Sequence, residues 1–225
     1  MKLFKFGITL KRITPDDIEL VRQWRNSEEI RQYMHFRDYI TKEMQLDWFR
    51  SINNIYNFYY IIQYKGDNIG LFNEKNVDWK NRTSETGLFI ADERYLNTQI
   101  PILVSLFQSE IGFYLLKGEK SYIRIMKDNV RAVKYSQSFG YELCENQENE
   151  DLQLYMLTKE RYEEKGKKLL DAANKVYKNE AVLRMYMEKH DYESGFARFF
   201  EDKIKELNVN IPYDMVDGVK VYHYP

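Results

Sequence analysis

The chain has 225 residues, 44% of them hydrophobic and 31% charged, which makes it too apolar for a disordered segment and long enough to bury one core with an appendage. A formal net charge of -1 excludes the broad basic footprint of nucleic-acid binding, and no apolar run approaches the roughly 20 residues of a membrane span, the best being "IPILVSLF". That leaves small molecules as the expected partners, with no nucleic acid and no membrane.

The N-terminal "MKLFKFGITLKRI" is too charged for a signal peptide, and the single cysteine, Cys144, has no internal disulfide partner, so a cytoplasmic chain is expected. "GITLKRI" alternates and predicts a strand. "TPDDIELVRQW" predicts a helix, with Thr14 as cap, Pro15 in the first turn and Asp17 three residues on; Ile18, Val21 and Trp24 form its apolar stripe. A second helix is expected from Thr41, with Met44, Trp48 and Ile52 on one stripe and Phe49 beside it. "NFYYIIQYKGDNIGLFN" reads as two strands joined at Lys65-Gly66-Asp67-Asn68, a hairpin. The strand "ETGLFIA" leads through a glycine-free loop into a helix carrying Leu103, Phe107, Ile111 and Tyr114. "SYIRIM" is a strand, and "DNVRAVKYSQSFG" is a helix with an Asp/Asn cap that Gly140 stops. Strands at "YELC" and "LQLYMLT" follow. From about Lys159 the sequence turns charged and helical, with Leu169, Leu170, Ala173, Val176 and Tyr177 on one broad stripe, an aromatic "FARFF", and a closing "VKVYHY" that fits one strand. With three scattered histidines, His35, His190 and His223, there is no zinc-ligand spacing, and no metal is expected.

This order, and several local patterns over residues 8–160, resemble the GNAT superfamily of acyl-CoA-dependent N-acetyltransferases. In "DNVRAVKYSQSFGY" the residues Asn129, Ala132, Gly140 and Tyr141 match the family's late motif. The stretch "WRNSEEIRQYMHFRDYITKEMQLDWF" is similar to the branch that acetylates ribosomal-protein N-termini and, more closely, to amino-sugar acetyltransferases of surface-glycan pathways. The resemblance implies a mixed α+β fold, a GNAT-like central mixed sheet with flanking helices over residues 1–160; the charged, helical sequence beyond it is expected to form a C-terminal helical extension over 161–225 with a possible terminal strand. The extension is expected to pack on the domain or on a second subunit of a homodimer. Acetyl-CoA is the implied cosubstrate and a primary amine the acceptor.

The glycine-free loop falls where the family binds the coenzyme pyrophosphate, with Leu96, Asn97, Thr98, Gln99, Ile100 and Pro101 aligned on an Arg/Gln-x-x-Gly-x-Gly/Ala pattern whose signature residues are all absent. Amide donors belong to every residue except Pro, so a phosphate loop in position but with altered grip is expected. By the same resemblance the strand backbone of Phe89, Ile90 and Ala91 pairs with the pantetheine, and Asn129 bonds the coenzyme or caps its helix. The family's proton-donating Tyr is replaced by Ser136, with Tyr135 one position earlier, about 100° away on a helix. Glu85 is the candidate base, against a reading as a solvated strand-end carboxylate; Glu74 is expected as a surface charge. Trp24, Arg25, Asn26 and His35 are the candidate acceptor residues: Arg as an anion clamp and Trp as a stacking plate, or simply a core Trp and a cation at a helix C-terminus. Two functions follow: direct acetyl transfer from acetyl-CoA to a primary amine, the acceptor an amino-sugar nucleotide, or a degenerate noncatalytic GNAT-fold binding module.

Overall fold

A computed structural model describes residues 1–224. It opens on a hairpin, β1 (Lys2–Lys5) and β2 (Ile8–Arg12), turned at Phe6 and Gly7 with φ of 57° and 73°. The sequence pattern hid β1, because its inward position Lys5 is a charge; the residue is buried and its Nζ lies 2.8 Å from the buried Glu110 carboxylate. Thr14 forms the expected capping box with Asp17, both its N–H and its hydroxyl donating to Asp17 Oδ2 at 2.9 Å. One 3₁₀ turn then leads into α1 (Ile18–Asn26), followed by the short α2 (Glu28–Arg31). Thr41 caps α3 (Lys42–Ile52) by accepting from the Met44 N–H. The buried stripe of α3 is Gln45, Phe49 and Ile52; Met44, expected inside, is exposed.

The hairpin β3 (Phe58–Tyr64) and β4 (Asp67–Asp78) turns at Lys65 and Gly66 with φ of 50° and 88°, as the Lys-Gly-Asp-Asn signal predicts. Then come β5 (Thr83–Ile90), the single-turn α4 (Glu93–Leu96) and α5 (Ile100–Ser109). α5 passes directly into a π-helical segment, Glu110–Leu115. That wider turn rotates the pattern, so Phe113 and Leu115 are buried where a regular helix would have placed Ile111 and Tyr114. β6 (Lys120–Met126), α6 (Val130–Phe139), the two-residue β7 (Glu142–Leu143) and β8 (Leu152–Thr158) complete the part that the resemblance covers.

The remaining segment comprises α7 (Lys159–Tyr177), β9 (Leu183–Met187), α8 (Lys189–Glu193), α9 (Phe196–Glu206) and the hairpin β10 (Tyr213–Val216) and β11 (Val219–Tyr224). It departs from the expected helical extension by supplying three strands to the one eleven-stranded sheet, whose order is β10-β11-β9-β1-β2-β3-β4-β5-β6-β8-β7. β9 pairs antiparallel with β1, and β11 with β9. Leu183, Met185 and Met187 alternate inward, so an available edge at β1 overrides the helical leaning of "VLRMYM". Leu170 and Ala173 of the predicted α7 stripe are buried, whereas Leu169 and Val176 are exposed.

Alternate residues of the central strands face two different layers. Phe58, Tyr60 and Phe72 join a large core with α5, α7 and α9, which also takes in Leu183, Phe196 and Phe200. Tyr59, Ile61, Leu71 and Phe89 face the other way, into a small core under α1 and α3 with Val21, Phe49 and Ile52.

Candidate functional site

All strand pairs are antiparallel except β5 with β6, which run parallel and pair only from Thr83 opposite Lys120 to Thr86 opposite Ile123. On its other edge β5 stays paired with β4 as far as Ile90 opposite Gly70. From Gly87 onward, therefore, β5 and β6 diverge and leave a strand edge open at the middle of the sheet. The Phe89 carbonyl lies against Gly70, where a Cβ would come within 2.3 Å of it. Strand alternation then turns the backbone groups of Leu88 and Ile90 to the open edge. Of the expected Phe89, Ile90 and Ala91, only Ile90 is so placed: Phe89 turns to β4, and the Ala91 N–H donates to Ile69 O at 2.8 Å. Leu88, missed in the sequence, follows from the same alternation.

At the end of the gap stands the glycine-free loop. The Thr98 amide donates to Tyr95 O at 3.2 Å, the Ile100 amide to Thr98 Oγ1 at 3.2 Å, and Pro101 has no donor. Two of the loop's amides are thus used within the loop. A cation stands beside it: Arg131, in the first turn of α6, donates to Leu96 O at 2.6 Å and to Asn97 Oδ1 at 3.0 Å. The sequence reading missed it because it lies on another element, 34 residues from Asn97. Gln99 Nε2 donates to the Tyr177 hydroxyl at 2.8 Å, so the end of α7 braces this loop. Asn129 caps α6, its Oδ1 accepting from the Ala132 N–H at 3.1 Å. Tyr135 donates to Pro101 O at 2.8 Å and lies 2.8 Å from Ser105 Oγ, while Ser136 is buried. Burial raises the Tyr135 phenol, and its hydroxyl ties α6 to the start of α5.

On the opposite face α1 packs against the sheet up to β5, beside the gap. Trp24 stands edge-on to Phe89, with ring centroids 6.1 Å apart, a core contact. Asn26 is engaged on both sides of its amide, donating to Ile40 O at 2.9 Å and accepting from the Ile40 N–H at 2.8 Å, which closes the loop between α2 and α3. His35 lies exposed in that loop. Arg25 differs: its Nε is buried and makes no hydrogen bond, and no carboxylate lies within ion-pair distance of it among the described residues. Burial pulls its guanidinium down, the Tyr59 phenol opposing this slightly. Glu85 is not a free strand-end carboxylate, since its Oε1 is 2.8 Å from Lys75 Nζ and its Oε2 is 3.3 Å from Arg124 Nε. An amine or water that reaches it shares its oxygens with those two cations. The acceptor face of the gap therefore carries net positive charge.

The sequence profile of the acetyltransferase (GNAT) domain matches residues 10–152, well over half of the chain. The chain belongs to the GNAT family. An uncharacterized protein of Methanocaldococcus jannaschii is 24% identical over 141 residues, a match covering 60% of this chain and 28% of that protein, so the GNAT chain spans under a third of this relative's length. Spermidine N-acetyltransferase from Vibrio cholerae, solved with CoA and spermine, superposes with a TM-score of 0.62 at 15% identity, over 69% of this chain and 98% of that one. FdhC, a nucleotide-linked sugar GNAT, superposes with a TM-score of 0.61 at 20% identity, over 80% of this chain and 98% of that one. These likenesses establish the mixed sheet with flanking helices.

Two further groups, one in the GNAT domain and one beyond it, were misread or missed in the sequence. Glu74, expected at the surface, points into the large core and accepts from the Ser84 hydroxyl at 2.7 Å, and burial raises its carboxyl. The i, i+2 alternation with Phe72 was the available signal. Glu188, His190 and Asp191 gather their ligand atoms within 4.8 Å of one another, far from the gap in sequence, with Lys2 2.8 Å from Glu188 and Arg12 3.8 Å from Asp191. Among the described residues no helix is long and apolar enough to cross a membrane.

Proposed function

We propose that the protein transfers an acetyl group from acetyl-CoA directly to the primary amine of an anionic acceptor, an amino sugar carried on a nucleotide. The observation that carries this reading is Arg25, a half-buried side chain whose Nε is buried and unbonded and which has no acidic partner among the described residues, placed on the acceptor side of the strand gap. A guanidinium N–H buried without an acceptor is costly unless an anion meets it, and a guanidinium suits phosphate above other anions. Lys75 and Arg124 add positive charge around Glu85, an arrangement that repels a polyamine and attracts a diphosphate. The nucleotide-linked sugar acted on by FdhC is of this class, and the spermine bound by the Vibrio cholerae enzyme is not.

In this reading the open edge at Leu88 and Ile90 pairs with the pantetheine amides and fixes the thioester in the gap. The amine attacks the thioester carbon from the α1 face. The carbon–nitrogen bond forms, the nitrogen gives up one proton to water, the carbon–sulfur bond breaks, and the thiolate leaves to be protonated by solvent, since the Tyr135 hydroxyl is engaged with Pro101. Arg131 meets the coenzyme pyrophosphate beside a loop whose Thr98 and Ile100 amides are satisfied internally.

The test is to incubate the protein with acetyl-CoA and a nucleotide-linked amino sugar, spermidine or an N-terminal peptide, and to follow free thiol. Thiol release is expected with the nucleotide-linked amine, and Arg25→Ala should raise its KM by about tenfold or more at unchanged acetyl-CoA affinity. Preference for spermidine overturns the acceptor class. Absence of acetyl-CoA binding at millimolar concentration points to the noncatalytic module.

A further inference from the structure

On the acceptor face of the sheet, Tyr59 of β3, Asn73 of β4 and Gly87 of β5 stand opposite one another in a single row across three strands. Gly87 is the first residue of β5 past the last pair with β6. Its lack of a side chain has a specific use, because a Cβ there would come within 2.8 Å of Asn73 Oδ1. The φ of Gly87 is not left-handed, so space and not backbone freedom is what the glycine supplies. The Asn73 amide thus lies flat over the β5 backbone at the point where the gap opens. Its Nδ2 is buried and bonded to nothing.

An amide N–H withdrawn from water without an acceptor costs about 1–3 kcal/mol, and neighbouring side chains do not relieve it here. Tyr59, the nearest polar group in the row, already contacts the Trp48 indole, with ring centroids 5.1 Å apart. Glu85, two residues before Gly87 on the same face, is held by Lys75 and Arg124. The unbonded donor belongs to an amide that lies against Gly87, where β5 loses its pairing with β6.

Resting on the acyltransfer reading above, we propose that Asn73 is a catalytic residue: its Nδ2–H donates to the acyl carbonyl oxygen and follows it as amine attack turns that oxygen into an oxyanion. In that step the carbonyl π pair moves onto oxygen as the carbon–nitrogen bond forms, and it returns as the carbon–sulfur bond breaks and the thiolate departs. A donor fixed beforehand and shielded from water stabilises this transient charge more than the neutral carbonyl, which is the condition for lowering the barrier. An open-edge amide of β5 serves as a second donor from the opposite side of the oxygen. Gly87 becomes a positioning residue, because any side chain there lifts the Asn73 amide off the strand.

The experiment uses the full chain with acetyl-CoA labelled at the thioester carbonyl, comparing wild type, Asn73→Ala and the shape-preserving Asn73→Leu. Calorimetry gives coenzyme affinity, infrared spectroscopy gives the carbonyl stretch of the bound thioester, and thiol release with the acceptor found in the panel gives kcat and KM. Expected are unchanged acetyl-CoA affinity, a carbonyl stretch lowered in the wild type and restored toward the free value in the variants, and a kcat reduced about 100-fold at constant acceptor KM. A wild-type shift that persists in whichever variant folds overturns the role of Asn73 and leaves the acyltransferase reading standing, as does a higher acceptor KM at constant kcat, which would move Asn73 to acceptor binding. If wild type binds no acetyl-CoA, both readings fall together.

Discussion

The face of the sheet under α5, α7 and α9 and the face under α1 and α3 are built from the same strands, yet they differ in how completely they are packed. The first holds a continuous core reaching from Leu3 to Phe200 and Val104 to Leu183, and even its buried Lys5 and Glu110 neutralise each other. The second holds a small core centred on Ile61 and Leu71, and beside it lie Arg25, Gln45 and Asn73, three side chains with a buried donor that bonds nothing among the described residues. Each face keeps unbonded polar atoms, the Tyr114 and Tyr162 hydroxyls on the first among them, so what sets Arg25 and Asn73 apart is their place beside the strand gap. An unsatisfied group there gains from a ligand that enters the gap.

Substitutions at the two faces can break or sharpen that contrast. The largest effect is expected from ending the chain at Glu160, which removes β9 and β11 and uncovers β1 together with the core around Leu3, Phe58 and Tyr60. Loss of a cooperative thermal transition is expected; a folded fragment with full acetyl-CoA affinity would show that the C-terminal strands only decorate the packed face. Next is Phe200→Ala, which deletes a buried ring packed at 6.5 Å on Phe196. It should cost about 3–5 kcal/mol in denaturant unfolding. Gly87→Ala, on the other face, should cost about 1–3 kcal/mol of overpacking strain and reduce turnover by more than it reduces coenzyme affinity. Equal losses in both would contradict the row built on Asn73.

Arg131→Ala should weaken acetyl-CoA binding about tenfold with little change in melting temperature, as its guanidinium contacts only the exposed Leu96–Asn97 turn. Unchanged affinity would return the pyrophosphate to the loop amides. The smallest effect is expected from Glu74→Gln. Burial raises the Glu74 carboxyl above its ordinary 4.5, so the folded chain holds this proton more tightly than the unfolded chain does. That contribution is complete below pH 4.5 and is lost as pH climbs through the folded value. Gln keeps an oxygen for the Ser84 hydroxyl but never ionises. The variant should match the wild type in acid and exceed it at neutral pH by on the order of 1 kcal/mol, and a difference that does not vary with pH would refute the assignment.

Much of this was legible in the residues. The Thr14 box, the Lys65-Gly66 turn, the Asn129 cap and the Gly140 stop are local chemistry, each decided within a few residues, and all appear as expected. The mixed sheet and its flanking helices followed from the order of such units. The candidate site was legible as a region and not as a set of contacts. Arg25 could be named from its place at the end of α1, but not that it lacks a partner; Glu85 could be named, but not its two cations; Arg131 and Asn73 carried no local mark at all.

The sequence by itself determined where elements start and stop, because caps, turns and periodicity act between residues that are neighbours along the chain. Tertiary structure alone decided that β9 pairs with β1, that the π-helical segment turns Phe113 inward in place of Ile111, and that β5 and β6 part after Thr86. It also decided which polar groups remain unsatisfied. Strand pairing, burial and the presence or absence of a counter-charge depend on residues tens to hundreds of positions apart, and no short-range pattern encodes them.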